Sequence, residues 1–422
     1  MKITSIESAT ALDSNGRGAL EITLGFENND LKVRAIAPRG STTGDFEATF
    51  FEDARVSGLD SARPAVASAN ALLPAALMGK DFATLREFDA ALAQLDPSPQ
   101  FNLLGGNVAI AASFAFAKGL AVSRGVPLHR VLSDTEVERF PLPMFNIIDG
   151  ATIAGSGIGG VEFLLIPDRG INIELAIQMG IDIRNAARTL LARRNIVTGD
   201  SPQGALLLAS ADCEYPLATI LEAAAEVGYK AGTDFTLGLD LAASDYYGEN
   251  GCYTYPWPAL GADNAIGRSQ NLNALCDEYQ RLIANFHLSF IEDGFAEVDT
   301  DGWCAFARQR GQTRMIADDL CASSPARIED AAREGLIQGV LIKPNQIGSL
   351  TGAMDALRVA NAHGLLSIVS QRSGENDDDL ITHLAIAGQA DYLKFGGPAR
   401  MDRIIKLNSL LKCARAAALL SS

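Results

Sequence analysis

Hydrophobic and polar residues alternate in three runs at the start of the chain. The runs are ITSIESATAL (3–12), ALEITLGFE (19–27) and LKVRAIAP (31–38), and the polar segments DSNGRG and ENND separate them. A period of two residues is typical of strands with one buried face. The pattern therefore predicts a small antiparallel meander.

Helical periodicity replaces this alternation in the next three segments. They are SARPAVASANALLPAALMG (61–79), ATLREFDAALAQL (83–95) and NVAIAASFAFAKGLAVSRG (107–125). The third segment is almost entirely apolar, which predicts a helix buried on most of its faces. We therefore expect residues 1–130 to form an N-terminal α+β domain.

Strand-like and helical segments alternate through the remaining residues, 131–422. The series includes PLPMFNII (141–148), VEFLLIP (161–167), ELAIQMGIDIRNAARTLLARR (174–194), FTLGLDLA (235–242) and a closing helix, MDRIIKLNSLLKCARAAALL (401–420). Such alternation is typical of α/β folds, and a parallel barrel is its simplest closure. The predicted fold is an α/β barrel preceded by the smaller α+β domain.

Five charged residues end short apolar runs in the second half of the chain. They are Asp240 in TLGLD, Glu292 in LSFIED, Asp318 in RMIADD, Lys343 in VLIK and Lys394 in DYLK. Strand ends meet at the catalytic rim of a β/α barrel. Like charges gathered there would repel one another unless a divalent metal and an anionic substrate lay between them. The spacing therefore indicates a metal-dependent enzyme.

The three acids supply hard oxygen ligands, which suit Mg²⁺. Any one of Asp240, Glu292 and Asp318 could instead cap a helix or lie in a solvated loop. Three of them in register at strand ends, two in acidic pairs, favour metal binding.

The basic residues of the rim suit proton abstraction and anion binding. Lys343 stands just before a proline, and we expect desolvation and nearby cations to lower its pKa and make it a general base. A surface lysine is the alternative for Lys343, and a salt bridge to a rim acid is the alternative for Lys394. Arg372 and Ser373, in SQRSGE, pair a guanidinium group with a hydroxyl and suit a phosphate or carboxylate.

The segment GSGIGG (155–160) matches the glycine pattern of dinucleotide-binding sites. That pattern must open a helix, whereas VEFLLIP, which follows it here, is typical of a strand. We therefore interpret the segment as a glycine-rich loop at the barrel mouth.

Composition narrows the classes of partner and compartment. A net charge of −16 over 422 residues argues against nucleic acid and anionic membranes, which bind basic surfaces, and leaves small metabolites as the expected ligands. The six cysteines are scattered without a C-x-x-C pair, as in reduced cytoplasmic proteins. No segment is typical of a signal peptide or a membrane anchor. We expect a cytoplasmic protein.

Beyond these patterns, the chain resembles the enolase (phosphopyruvate hydratase) family over essentially its whole length. The matching segments are DSNG, PRGSTTG, VPLHRVL, FNIIDG, VEFLLIP, LGLDLAASDYY, SFIEDGFAE, IADDL, LIKPNQIGSL, SQRSGE and LKFGGPARMDR. The segments LIKPNQIGSL and RSGE are highly specific for this family. The resemblance implies an enolase-type TIM barrel, an N-terminal α+β domain and a homodimer.

The resemblance also implies roles for the rim residues. Asp240, Glu292 and Asp318 would bind Mg²⁺, and Lys343 would remove the proton α to the substrate carboxylate. Lys394 would contact that carboxylate. The remaining implied roles are phosphate binding by Arg372 and Ser373 and an active-site glutamate at Glu162.

Three functional positions depart from the family pattern. Ser201, in GDSPQG, replaces a second active-site glutamate, and Ile153 and Gln371 replace two histidines. A serine cannot deliver a proton as a carboxylic acid does, and losing a general acid costs about 10²- to 10⁴-fold in rate. Glu162 or the neighbouring Asp200 could compensate. The deprotonation half of the chemistry is therefore expected to be intact and the leaving-group half altered.

Two further differences concern the metal and the subunit contact. Thr42 replaces a serine that ligates a second metal in the family and keeps a hydroxyl for that task. Asn15 replaces an arginine associated with the subunit contact.

Three hypotheses follow for the function. The first is a diverged enolase-family enzyme acting on a phosphorylated or phosphonylated carboxylic acid, as in phosphonate metabolism. The second is an ordinary phosphopyruvate hydratase, which converts 2-phosphoglycerate to phosphoenolpyruvate. The third is a catalytically silent scaffold, against which the clustered and otherwise costly charges argue.

Overall fold

The computed structural model describes residues 1–27, 31–40, 44–133, 136–137, 139–151, 161–210, 212–255 and 268–421. Its first unit is an antiparallel sheet in the order β1-β2-β3, packed against helices. The strands are β1 (Ile3–Leu12), β2 (Gly18–Phe26) and β3 (Lys32–Ile36), and the helices are α1 (Arg63–Leu77), α2 (Leu85–Leu95), α3 (Gly106–Arg124) and α4 (Leu128–Leu132), with a 3₁₀ turn at Gly58–Ala62. The predicted meander and all three predicted helices are confirmed.

Helix α3 forms the centre of this unit. It packs against β2 and β3, and most of its residues are buried. Within the described ranges it is also the one helix long and apolar enough to cross a membrane, but 83% of the apolar window lies inside the protein. Its apolar surface is therefore used by the core.

The second unit is a closed barrel of eight strands within the part of the chain that the structure describes. The barrel strands are β4 (Leu142–Ala151), β5 (Glu162–Pro167), β7 (Phe235–Asp240), β10 (Leu288–Glu292), β11 (Arg314–Ala317), β12 (Gly339–Ile342), β13 (Leu366–Ser370) and β14 (Tyr392–Lys394), and β14 pairs with β4 to close the ring. Outside the ring, β6 (Leu206–Ala209) pairs in parallel with the last residues of β4. The short strand β8 (Tyr253–Tyr255) pairs with β9 (Arg268–Gln270). The predicted α/β barrel is confirmed.

Helices surround the barrel and cover its outer face. They are α5 (Ile173–Arg193), α6 (Glu214–Glu226), α7 (Leu272–Phe286), α8 (Thr300–Ala307), α9 (Pro325–Arg333), α10 (Pro344–Ile347), α11 (Leu350–Ala362), α12 (Leu380–Ala387) and α13 (Met401–Ser421), with a 3₁₀ turn at Ala243–Tyr246. A separate apolar cluster, which includes Met144, Leu164, Phe290, Ile316 and Leu341, fills the barrel interior. The barrel is thus a packed core that supports its rim.

One feature of the barrel differs from the expected parallel closure. Strand β5 runs antiparallel to both of its neighbours, β4 and β7. Only residues 152–161 connect β4 to β5, and a parallel connection needs a crossover of about a dozen residues or more. The short connection therefore produces a hairpin.

This reversal places the first residue of β5 at the rim. Glu162 pairs with Asp240 at the end of β7 and with Asp149 near the end of β4. An acid at the start of a strand thus reaches the same edge as acids at the ends of parallel strands. A strand after residues 155–160 also agrees with rejecting a dinucleotide site, although the glycine-rich segment itself lies outside the described residues.

Candidate active site

The strand ends bring the predicted charged residues to one mouth of the barrel. Glu292 and Lys394 are the last residues of β10 and β14, and Asp240 is the last residue of β7. Asp318 and Lys343 directly follow β11 and β12. A cavity of about 180 Å³ opens there, and its lining includes Glu47, Glu162, Gln203, Asp240, Asp318, Asp319, Lys343, Gln371, Arg372, Ser373 and Lys394.

Lys394 binds three carboxylates at the centre of this mouth. Its Nζ lies 2.8 Å from Asp240 Oδ2, 2.7 Å from Glu292 Oε2 and 2.9 Å from Glu162 Oε2. Burial lowers the pKa of Lys394. Attraction to Asp240 and the other acids together raises it by more, so the net pKa is well above its usual range. The salt bridge considered as the alternative for Lys394 is what the structure shows.

Lys343 makes a close ion pair with Asp318. Its Nζ contacts Asp318 Oδ2, Gln346 donates to Asp318 Oδ1 at 2.9 Å, and the Lys343 backbone N–H donates to Ser323 at 2.8 Å. These contacts fix both members of the pair. The surface-lysine alternative is wrong, because only 15% of the Lys343 side chain is exposed.

The pKa of Lys343 differs from the expectation. Burial is the largest influence and lowers this pKa, as do the neighbouring cations, but attraction to Asp318 and Glu292 raises it, and the net shift is upward. The prediction of a lowered pKa is therefore wrong for the protein in this state. That prediction considered desolvation and nearby cations and overlooked the direct contact with Asp318.

Arg372 and Ser373 also line the cavity. Arg372 forms a two-pronged ion pair with Glu47, at 2.7 and 3.2 Å, and its backbone N–H donates to Glu375 at 2.9 Å. The Ser373 hydroxyl is buried and has no hydrogen-bond partner among the described residues. An oriented guanidinium group beside a free hydroxyl suits an anionic substrate group.

The acids of the mouth form two groups. Asp240 and Glu292 meet on Lys394, whereas Asp318 lies within 4.8 Å of Asp293 and Asp319, a triad that could hold a metal ion. Asp293 accepts the backbone N–H groups of Asp318 and Asp319 at 2.9 and 3.0 Å. Asp293 therefore fixes the loop that carries Asp318.

The residues present fit a hard divalent cation. Burial and then the charge of Asp240 raise the pKa of Glu292 well above its usual range, and Asp318 adds to this effect. Burial and Asp318 likewise raise the pKa of Asp319 to about 8. Buried carboxylates that repel one another are relieved by a bound cation, and oxygen donors of this type suit Mg²⁺.

Ser201 and Asp149 occupy the side where the family pattern has a second glutamate. The Ser201 hydroxyl donates to Asp149 Oδ2 at 2.6 Å, and Asn146 donates to Asp149 Oδ1 at 3.3 Å. Burial and the charge of Glu162 raise the pKa of Asp149 to about 7, although the Ser201 hydrogen bond opposes the shift. A carboxyl group that carries a proton near neutral pH thus lies beside the serine.

Two glutamines bridge this side to the rest of the mouth. The Gln203 amide contacts Glu162 Oε1, and the Gln371 amide donates to Gln203 Oε1 at 2.5 Å. Gln371 thus takes a structural contact at a position where the family has a histidine.

A second cavity of about 550 Å³ adjoins the first on this side. Glu162, Gln203 and Ser373 line both cavities, and the second is also lined by Ser14, Asn15, Arg17, Asp149, Ser201, Pro202 and Arg400. The open space of the mouth therefore extends beyond Ser201 and Asp149.

Asp200 lies away from the two cavities of the mouth. It pairs with Arg184 at 2.6 Å and with Arg188, both on α5, and it lines neither cavity of the mouth. The structure thus does not place Asp200 where it could compensate for Ser201, because two guanidinium groups bind its carboxylate elsewhere. Thr42 and Ile153 lie outside the described residues.

Asp293 and Asp319, which form the triad with Asp318, were not predicted as site residues, and three further residues of the mouth were also missed by the sequence analysis. Asp149 ends an apolar run, FNIID, and the strand-end pattern that found the other acids would have found it too. Glu47 and Gln203 come from irregular segments and carry no such signal. Only the fold shows that they reach the mouth.

Both units of the chain match models of known domain families. Residues 3–132 match the model described as enolase, N-terminal domain, and residues 137–418 match the model described as enolase, C-terminal TIM barrel domain. The barrel with its reversed second strand, the N-terminal sheet and the charged mouth are all contained in these matches. The chain therefore belongs to the enolase family.

Proposed function

We propose that this protein is a Mg²⁺-dependent enzyme that removes the α-proton of a small carboxylic acid bearing a phosphate or phosphonate group. The observation that carries the proposal is one cavity in which Lys343, Lys394 and Arg372 face Asp240 and Asp318. Cations for an anionic substrate and oxygen ligands for a metal are thus available in one place. The enolase family makes this reaction class the natural one.

Each residue has a role in the proposed reaction. A cation bound to Asp318 would weaken the ion pair that raises the pKa of Lys343, and the neutral amine so formed would take the α-proton. Lys394 contacts the substrate carboxylate. Arg372 and Ser373 hold the phosphorus-containing group. Bound by Asp240, Glu292 and Asp318, Mg²⁺ would supply the positive charge that stabilises the enediolate oxygens.

The side of the mouth that holds Ser201 differs from the family pattern, which supports either a different leaving group or a different general acid. Asp149 carries the only carboxyl group that hydrogen-bonds to Ser201 among the described residues. Asp149 faces Glu162 across the β4–β5 pair. We assign to these two carboxyl groups the proton delivery that the family gives to its second glutamate.

The test is exchange of the α-proton into deuterated water, with Mg²⁺ and a panel of phosphorylated and phosphonylated carboxylic acids. Lys343→Ala should lower the rate of exchange by about 10²- to 10⁴-fold. Lys230→Ala, at an exposed lysine on the outside of the barrel, should leave it unchanged. No exchange by the wild type on any acid, or equal exchange after Lys343→Ala, contradicts the proposal.

The same experiment separates the other two hypotheses. Conversion of 2-phosphoglycerate to phosphoenolpyruvate as the fastest reaction of the panel identifies an ordinary phosphopyruvate hydratase. Mg²⁺ binding with neither exchange nor turnover identifies a silent scaffold.

A cytoplasmic homodimer without nucleic-acid or membrane partners is part of the proposal. Light scattering on the purified protein should give twice the chain mass of 44.6 kDa. A mass of one chain would show that the change to Asn15 accompanies loss of the family's subunit contact.

A further inference from the structure

Two histidines and a cysteine meet away from the barrel mouth. His129 lies on α4, His383 on α12 and Cys413 on α13, and one ligand atom of each lies within 4.8 Å of the others. None of the three lines either cavity of the candidate active site. The cluster therefore has no part in the proposed chemistry.

The distance between the two imidazole nitrogens matches the distance expected between two ligands of one metal ion. His129 Nδ1 and His383 Nδ1 are 3.3 Å apart. Metal–nitrogen bonds of about 2.0–2.1 Å in a tetrahedral arrangement place two nitrogen ligands about 3.3–3.4 Å apart. A hydrogen bond between the two rings is the competing explanation of the same distance.

A carboxylate orients one of the imidazoles from the other side. Asp379 Oδ2 lies 3.4 Å from His383 Nε2, and Asp379 is the residue that precedes α12. Histidines that bind metals usually donate their second ring N–H to a carboxylate, a carbonyl or water, which fixes the ring and the free nitrogen. The His383 Nδ1 atom is thus held toward His129, the partner across the cluster.

We propose that His129, His383 and Cys413 bind a transition-metal ion of the Zn²⁺ class. Imidazole nitrogen and thiolate sulfur prefer such ions, whereas Mg²⁺ prefers oxygen. Three protein ligands leave a fourth position for water. Since His129 and Cys413 are only half-buried, an ion can reach the site from solvent.

The position of the cluster indicates a structural role for the ion. Helix α4 ends the N-terminal unit, whereas α12 and α13 belong to the barrel, and α12 packs against both of the others. A bound ion would join these three helices at one point. An ion that binds only the folded chain stabilises it in proportion to the logarithm of its concentration over its Kd.

Cobalt is a suitable probe, because thiolate–Co²⁺ ligation gives a charge-transfer absorption band that oxygen and nitrogen ligands do not give. Addition of Co²⁺ to the full-length, metal-stripped protein should produce this band with saturation near one equivalent per chain. Zn²⁺ should remove the band, and an excess of Mg²⁺ should not. Zn²⁺ should also raise the thermal unfolding midpoint.

Three variants test the assignment. Cys413→Ser and, separately, His129→Gln should abolish the Co²⁺ band and the Zn²⁺-dependent rise in the midpoint. Cys304→Ser, at another half-buried cysteine, should preserve both. Mg²⁺-dependent α-proton exchange should be unchanged in all three, which confirms folding and separates this site from the proposed active site.

A wild-type protein without the band overturns the proposal and leaves the His129–His383 hydrogen bond as the role of the cluster. A band that survives Cys413→Ser also overturns it, because the thiolate would then come from elsewhere. If Cys413→Ser fails to fold, the half-buried His129→Gln variant decides the question.

Discussion

Asp149 and Ser201 share a buried hydrogen bond of 2.6 Å on one side of the barrel mouth. The proposed acid function of Asp149 requires its protonated form. Burial and Glu162 raise the pKa of this carboxyl group to about 7, so the proton is present below that pH and is lost as the pH rises through it. A general acid with this pKa makes the turnover rate depend on pH near that value.

We expect turnover of the best substrate to fall as the pH rises through about 7, because Asp149 then loses its proton. Asp149→Asn should lower turnover by about 10²- to 10⁴-fold and abolish this alkaline limb. The measurement is a pH profile of kcat for both proteins. An unchanged limb in the variant would assign the acid to another group.

Ser201→Ala provides a second readout of the same pair. The serine hydroxyl stabilises the charged carboxylate and so holds the pKa of Asp149 down. Its removal should shift the alkaline limb of the kcat profile to higher pH. A limb that stays in place would show that Ser201 and Asp149 do not act together during turnover.

The sequence predicted which residues reach the mouth better than it predicted their contacts. Asp240, Glu292 and Lys394 were expected at the mouth because each ends an apolar run, and they do meet there. The upward shift in the pKa of Lys343 was not predictable, because it depends on contact with Asp318. Contacts between residues far apart in the chain carry no periodic signal.

The segment that carries Ser201 and Gln203 is positioned by backbone contacts with the residues that follow β14. The Gly397 N–H donates to Gln203 O at 2.8 Å. A Cβ atom on Gly397 would lie 2.2 Å from Gly204 O, which is closer than any real contact. Glycine is required at this close approach.

Gly397→Ala should therefore displace residues 199–205 and reduce turnover strongly, while costing about 1–3 kcal/mol of stability. The matched control is Gly199→Ala in the same segment, since a Cβ there meets nothing within 4 Å. Turnover and thermal unfolding should be measured for both variants. Equal turnover in the two would show that the position of this segment does not matter for catalysis.

Most elements followed from hydrophobic periodicity, because strands and helices bury one face at a regular spacing. The direction of β5 did not follow, since periodicity says nothing about strand direction. The length of the β4–β5 connection, residues 152–161, was the available signal, and it is too short for a crossover helix.

The barrel mouth gathers carboxylates from β7, β10 and the loop after β11. Glu292 is fully buried, and its pKa is raised well above the usual range by burial, by Asp240 and by Asp318. Their mutual repulsion opposes folding. The chain also carries a net charge of −16, so a cation bound at the mouth acts against both effects.

Mg²⁺ should therefore stabilise the protein as well as activate it. A ligand that binds only the folded state adds about 2.7 kcal/mol at a concentration of 100 Kd, so the thermal unfolding midpoint should rise with Mg²⁺ and fall when a chelator removes it. Asp240→Asn should abolish most of this rise, whereas Asp277→Asn, at an exposed acid of α7, should preserve it. An equal rise in both variants would mean that Mg²⁺ acts by screening the net charge, and Asp240 would then be no ligand.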